Sequence, residues 1–150
     1  MKCLQANFKP EPLRTEADEA NDITSLRRNT QGWLYLATKS FADGAPWRLP
    51  RTRVATDGSE AVRAAATRSV QEALGSSVET FMMGHVPAGH LVDADGARTF
   101  LMLGIVLDGL PHLNEGGDVA EFAWLTRQEL LQAYADDTAA HAKLSLLLVE

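Results

Sequence analysis

The clearest pattern along the chain is a set of apolar residues that recur at helical spacing between positions 62 and 74. The set consists of Val62, Ala65, Ala66, Val70, Ala73 and Leu74. Apolar residues three and four positions apart form one stripe on an α-helix, and the polar residues between them face solvent. Ser59 is a favourable N-cap and Gly75 a favourable residue at the C-terminal end. The pattern therefore predicts an amphipathic helix that ends at Gly75.

Four stretches are rich in strand-forming residues and are bounded by turn residues. They comprise residues 33–38, 78–83, 99–107 and 121–125. The third is almost continuously apolar, which is typical of a strand buried on both faces. We therefore predict four core strands, with residues 99–107 at the centre of the sheet.

Two capping-box patterns mark the starts of further helices, Thr15 with Asp18 and Thr126 with Glu129. A last helix is predicted for residues 138–149. The helix after Thr126 is expected to bury three residues: Leu130, Leu131 and Tyr134. This order of strands and helices indicates an α/β fold, with a mixed sheet covered by helices on both sides.

The first 30 residues differ from the rest of the chain. Pro10 and Pro12 favour an extended conformation over residues 1–14, and a short helix follows Thr15. We assign residues 1–30 to an N-terminal arm with a short helix and residues 31–150 to the α/β domain. The arm has few core-forming residues, so it could gain order on a partner. The alternative is that it folds back on its own domain.

Composition narrows the class of protein. The chain has 150 residues, 45% of them hydrophobic, and a formal net charge of -6. A net negative charge argues against DNA binding and against RNA contact over most of the surface, although a local contact could use a few arginines. The candidates are Arg27, Arg28, Arg48, Arg51 and Arg53. The single cysteine indicates a reducing compartment, and no apolar run is long enough to predict a membrane span.

The predicted helix carries a recognisable motif. Glu60 is followed, after seven residues, by Arg-Ser-Val-Gln-Glu-Ala-Leu-Gly at positions 68–75. This resembles the box of the Nudix superfamily, in which Glu60, Arg68, Val70, Glu72 and Gly75 are in register. Two of the three metal-binding glutamates of that box are replaced, by Ser69 and Ala73. Val54 and Ser76 also depart from the pattern.

These replacements bear on catalysis. Residues 69, 72 and 73 are spaced so as to share one helix face, where the resemblance implies that three carboxylates hold a dication. Magnesium requires several oxygen ligands, and this face offers only the carboxylate of Glu72. The alternative for Glu72 is an exposed ion pair with Arg68, four residues earlier. We therefore predict a non-catalytic domain with no metal and no cofactor, whose vestigial box comprises Glu60, Arg68, Ser69, Glu72, Ala73 and Gly75.

Two alternatives stay open at this stage. One is an active Nudix pyrophosphohydrolase of nucleoside diphosphate derivatives that recruits substitute acids. Its metal ligands would be Glu60 and Glu72, with Glu79 or Asp118 as further candidates. The other is a module that still binds a nucleotide but has lost hydrolysis.

Three further stretches are similar to one Nudix-like family of mitochondrial ribosomal proteins, number forty-six of the large subunit. They are the arm, with Thr-Glu-Ala-Asp at 15–18 and Asn-Asp at 21–22, the Trp-Arg-Leu-Pro stretch at 47–50, and the segment from Gly84 to His90. The resemblance covers most of residues 8–135. The arm is its specific part, because ordinary Nudix hydrolases lack it.

The resemblance implies a Nudix-like α/β/α sandwich that is a structural constituent of the mitochondrial large ribosomal subunit. It implies a place at the central protuberance, in the mitochondrial matrix, where the domain would act as a protein–protein scaffold in translation. The implied partners are other large-subunit ribosomal proteins, with limited local contact to ribosomal RNA. The acidic composition agrees with a position held mainly by protein contacts.

Overall fold

A computed structural model describes residue 10, residues 12–93 and residues 95–150. In chain order the elements are α1 (Glu16–Ala20), β1 (Tyr35–Ser40), α2 (Val62–Leu74), β2 (Glu79–Met82), β3 (Gly89–Val92), β4 (Arg98–Leu101), β5 (Gly104–Asp108), β6 (Val119–Leu125), α3 (Arg127–Ala133) and α4 (Thr138–Leu147). The predicted α/β class is confirmed. In the described part of the chain, every helix is too short or too polar to cross a lipid bilayer.

Within the described residues the strands form three antiparallel pairs, β1 with β6, β2 with β5, and β3 with β4. The predicted mixed sheet is therefore wrong for this part of the chain. A parallel pair needs a long crossover between its two strands. The connection through α2 is long enough, but it joins β1 to β2, which pair with β6 and β5 instead.

The prediction of a single central strand at residues 99–107 is also wrong. The run divides into β4 and β5, which pair with different partners: Leu101 lies opposite Gly89, and Gly104 lies opposite Met82. Strand β3, opposite β4, was not predicted. Among the described residues, Phe100 of β4 and Ile105 and Leu107 of β5 are exposed. The apolar pattern thus reflects two short strands rather than one strand buried on both sides.

The core consists of two clusters of buried side chains. The larger one joins β1, β6, α3 and α4 through Ala37, Ala123, Leu125, Leu130, Tyr134, Ala140 and Leu144. The smaller one places α2 against β2 through Ala73, Leu74 and Val78. Fully burying a leucine stabilises a fold by about 2 kcal/mol, so Leu74 is a principal anchor of α2. The predicted buried stripe on α2 is confirmed at Ala65, Ala73 and Leu74.

Most of the predicted helix ends are confirmed. Both capping boxes form: Thr15 and Thr126 accept from the backbone N–H three residues on, while Asp18 and Glu129 accept in return. Gly75 ends α2 at φ +84, where a Cβ would approach a backbone oxygen. Ser59 is not the N-cap of α2. Its N–H donates to the Asp57 carboxylate within the preceding turn, and α2 begins after Ala61 without a side-chain cap.

Residues 15–28 pack against the domain rather than standing apart from it. The Trp124 N–H donates to the Ile23 carbonyl oxygen at 2.6 Å, and Ile23 borders the larger core cluster. Thr15 is buried and donates its hydroxyl to the Arg27 carbonyl oxygen. Most of the predicted extended arm, residues 1–9 and 11, lies outside the described residues. The fold-back alternative thus describes residues 15–28, and the division at residue 30 stays a prediction.

A second glycine lies where two backbone segments come very close together. Gly109 follows β5 with φ +108, a conformation that residues with a side chain rarely adopt. A Cβ there would lie 2.0 Å from the Ser77 carbonyl oxygen, and the Ser77 hydroxyl donates to the Leu110 carbonyl oxygen at 2.9 Å. This glycine therefore closes the β2–β5 pair at the end where Glu79 faces Asp108.

Candidate functional site

The residues predicted to form a vestigial box lie on α2 and directly beside it, and positions 69, 72 and 73 differ in exposure. Ser69 and Ala73 are buried, whereas Glu72 is exposed. The Ser69 hydroxyl donates to the Ala66 carbonyl oxygen at 2.7 Å, so it is satisfied within its own helix. The three positions therefore do not form one solvent-facing surface. A carboxylate at position 69 or 73 would be buried and would need a cation, whereas small residues need none.

Arg68 is the most heavily bonded side chain of this region, and its guanidinium uses all five of its N–H donors. Nε and Nη2 donate to the two carboxylate oxygens of Glu60 at 2.9 and 2.8 Å. Nη1 donates to Glu72 at 2.5 Å and to the Thr52 hydroxyl at 2.9 Å. Nη2 also donates to the Arg53 carbonyl oxygen at 2.8 Å. The planar fork thus ties the loop at 52–60 to helix α2.

This network limits the availability of the two carboxylates proposed as substitute metal ligands. The hydrogen bonds from Arg68 lower the pKa of Glu60, and the two carboxylates raise the pKa of Arg68. A dication at Glu60 or Glu72 would have to compete with a guanidinium that already binds both carboxylates. The ion pair between Arg68 and Glu72 confirms the alternative prediction for Glu72, an exposed ion pair rather than a metal ligand. The sequence did not predict the bidentate bond between Arg68 and Glu60. The two residues are eight positions apart and Glu60 precedes the helix, so no helical spacing indicates that they pair.

The other two proposed acids do not join this network. Glu79 lies on β2 opposite Asp108, and Asp118 precedes β6. Among the described residues, no group of three or more histidine, cysteine or acidic side chains is arranged to hold a metal ion. The structure therefore brings Glu60, Arg68 and Glu72 together, and it leaves Glu79 and Asp118 elsewhere.

A loop that the sequence analysis did not single out completes the C-terminal end of α2. The Asn114 side-chain amide donates to the Gln71 and Glu72 carbonyl oxygens at 3.1 and 2.8 Å. The His112 N–H donates to the Leu74 carbonyl oxygen at 2.9 Å. These bonds satisfy carbonyl groups that a helix end leaves unpaired. The C-terminal end of α2 is thus held by bonds from His112 and Asn114.

Two of the arginines proposed for RNA contact are structural instead. Arg28 is buried and donates to the Glu129 carboxylate and to the Trp124 carbonyl oxygen. Arg48 lies over the Tyr134 ring, 4.5 Å from its centre, and donates to the Ala133 carbonyl oxygen. These bonds could not be predicted from the neighbouring residues in the sequence. The remaining three candidates, Arg27, Arg51 and Arg53, are exposed.

The Trp-Arg-Leu-Pro stretch at 47–50 therefore connects the loop after β1 to the C-terminal end of α3. The Leu49 N–H donates to the Tyr134 hydroxyl at 3.0 Å, and the Arg48 N–H donates to the Thr38 carbonyl oxygen at 2.9 Å. Trp47 packs against the larger core cluster. Burial raises the pKa of the Tyr134 hydroxyl, so it stays protonated and keeps its bonding role at neutral pH.

Similarity to known proteins covers most of this architecture. The chain is 34% identical over 146 residues to large ribosomal subunit protein mL46 of Neurospora crassa. That alignment covers 86% of the chain and 39% of the relative. The chain is a homologue of mL46 proteins. No model of a known protein family matches it.

Mammalian mL46 proteins are similar to the chain as well. The protein of Mus musculus is 27% identical over 134 residues, which are 82% of the chain and 46% of the relative. The protein of Bos taurus is 30% identical over 142 residues, which are 86% of the chain and 48% of the relative. The chain thus spans less than half the length of these mL46 relatives. The sequence resemblance to this ribosomal protein is confirmed, and its Nudix-like part stays a prediction.

Proposed function

We propose that the chain is a structural constituent of the mitochondrial large ribosomal subunit and acts in the mitochondrial matrix. The observation that carries this proposal is the similarity to mL46 proteins across 82–86% of the chain. In this role the domain contributes its shape and surface to translation and catalyses no reaction. Its place is the central protuberance, where other large-subunit proteins are its main partners.

The geometry of α2 supports a domain without catalysis. Glu60 and Glu72, the carboxylates best placed to substitute for lost metal ligands, both form ion pairs with Arg68. The two replaced positions, Ser69 and Ala73, are buried and carry no charge. Catalysis of phosphoanhydride cleavage by a metal requires a charge-neutralising dication at the reacting oxygens. The residues here stabilise a degenerate Nudix-like α/β/α fold instead, preceded by the arm at residues 1–30.

The charge distribution supports protein contacts over nucleic-acid contacts. The formal net charge is -6, and two candidate RNA-binding arginines lie within the fold. Phosphate contacts require accessible cations, so RNA contact is confined to small groups such as Arg51 and Arg53. DNA has no role in this proposal.

Two measurements test the proposal. The native chain should co-sediment with mitochondrial large subunits through a gradient at moderate salt, and a chain that sediments only as a free small protein contradicts the ribosomal role. Separately, the purified chain should hydrolyse no nucleoside diphosphate sugar or dinucleotide with magnesium. Magnesium-dependent turnover that Glu72→Gln abolishes would establish an enzyme instead.

A further inference from the structure

One face of the β2–β5 pair is a contiguous apolar surface that no described element covers. It consists of Phe81, Met83, Leu103, Ile105 and Leu107, and we call it the outer β2–β5 face. These side chains are between 39% and 54% exposed. Phe81 lies opposite Ile105 in the ladder, and the Met83 N–H donates to the Leu103 carbonyl oxygen at 2.8 Å, so the five residues are neighbours.

The opposite face of the same pair is covered by α2. Val106 and Val78 pack there with Leu74 in the smaller core cluster. The continuous apolar run at 99–107 has the pattern of a strand buried on both sides, but the residues that the structure describes cover only one side of β5. Contiguous exposed apolar surface on a folded domain marks a contact site for another molecule.

The acidic residues at one end of this face indicate the chemistry of the molecule that binds there. Glu79 is paired with Asp108 at the end of the ladder, next to Leu107 and beside a shift in register. Like charges opposite each other destabilise an antiparallel pair. Among the described residues neither carboxylate forms an ion pair. A cation supplied from outside would relieve this repulsion.

We propose that the outer β2–β5 face docks a segment of a neighbouring protein that presents an apolar strip with a lysine or arginine over Glu79 and Asp108. The proposal rests on the ribosomal role, since it names the chemistry of one protein partner in that assembly. An anionic lipid surface would be repelled by the two carboxylates. A second copy would bring together two chains of net charge -6.

Hydroxyl-radical footprinting of the full chain tests the proposal, alone and within purified large subunits. In the free chain Phe81, Met83 and Ile105 should each be modified, because all three side chains are exposed. In the subunit the three should be protected on the order of tenfold, as expected for side chains in a desolvated interface centre. A chain that co-sediments while these residues keep their free reactivity overturns the docking face and leaves the ribosomal role intact. A chain that does not co-sediment overturns both.

Paired variants test the two parts of the partner's chemistry. Phe81→Thr with Ile105→Thr keeps strand-forming residues and should lower co-sedimentation on the order of tenfold, because apolar anchors dominate interface energies. Leu13→Thr with Leu146→Thr, which removes two even more exposed apolar groups elsewhere, should leave it unchanged. Equal effects of the two pairs would overturn the proposal.

The charge variants isolate the basic group. Glu79→Lys with Asp108→Lys keeps a like-charge pair in the ladder but reverses its sign, so it should weaken co-sedimentation. Asp43→Lys with Asp136→Lys makes the same change in net charge at exposed sites away from the face and should not. Concentration-dependent protection of the free chain would identify a second copy as the occupant. Binding to phosphatidylserine vesicles through the same face would identify a membrane. Either result contradicts the proposal.

Discussion

Arg28 ties the segment before β1 to the core, and replacing it should destabilise the whole domain. Its guanidinium donates to the Glu129 carboxylate and to the Trp124 carbonyl oxygen. The side chain of Arg28 is 8% exposed and that of Glu129 is 36% exposed. The substitution Arg28→Met keeps most of the apolar stem but leaves both acceptors without their donor.

The magnitude follows from these contacts. A hydrogen bond to a charged group contributes about 1.5–3 kcal/mol, and an exposed ion pair less than about 1 kcal/mol. Because Glu129 is partly exposed to water, we expect Arg28→Met to lower the free energy of unfolding by about 2 kcal/mol. For a domain of this size that corresponds to a fall in melting temperature of roughly 4–8 °C.

Urea unfolding followed by tryptophan fluorescence measures this loss, and Arg51→Met is the matched control. Arg51 is exposed, so its replacement should change the free energy of unfolding by less than about 0.5 kcal/mol. Equal stabilities of the two variants would refute the assignment of Arg28 to the core.

The loss should also depend on pH. Burial raises the pKa of Glu129, but hydrogen bonds from the backbone and side chain of Thr126 and from Arg28 outweigh it and hold the pKa below its ordinary value of 4.5. A carboxyl whose pKa is lower in the folded state stabilises the fold above its unfolded pKa, and that contribution is lost as the pH falls through the folded value. The difference between wild type and Arg28→Met should therefore be larger at pH 7 than at pH 3. A difference that grows on acidification contradicts the ion pair.

Three further substitutions test local features. Thr126→Ala should lower the free energy of unfolding by about 1 kcal/mol through loss of the α3 cap. Ser59→Ala should change this free energy little, because Ser59 caps no helix. Equal losses of the two variants in urea unfolding would contradict these assignments of the helix caps. Gly109→Ala should cost about 3 kcal/mol, from backbone strain and the 2.0 Å approach to a backbone oxygen. Gly96→Ala, with positive φ but open space, should cost about 1 kcal/mol in the same assay. Arg68→Gln should speed amide hydrogen exchange in residues 53–60 while α3 keeps its protection, and unchanged exchange would show that the guanidinium does not hold this loop.

Features determined by residues close together in sequence were predictable. The capping boxes at Thr15 and Thr126 form, because a hydroxyl and a carboxylate three residues apart satisfy each other's backbone N–H groups. The end of α2 at Gly75 and the burial of Leu130 and Tyr134 follow from the same short-range rules.

Features that depend on residues far apart in the sequence were not predictable. Periodicity cannot tell whether an apolar run forms one strand or two, and the choice of Met82 and Gly89 as partners divides residues 98–108. Arg28 is buried only because Glu129 and Trp124, about a hundred residues later, supply its acceptors. A surface arginine and a buried one have the same sequence signature until such partners are known.

The candidate site shows the same limit. The ion pair between Arg68 and Glu72 follows from four-residue spacing, whereas the vestigial role of the box stays a prediction. The bonds to Glu60, Thr52 and the Arg53 carbonyl oxygen depend on the path of the preceding loop, which no helical spacing encodes.

The most direct test of the ribosomal role is quantitative mass spectrometry of purified mitochondrial large subunits after a moderate-salt wash. If the chain is a structural constituent, its peptides should be present at about one copy per subunit and should stay at that level through the wash. Peptides at trace level, or lost with the wash while resident large-subunit proteins remain, would contradict the proposed function.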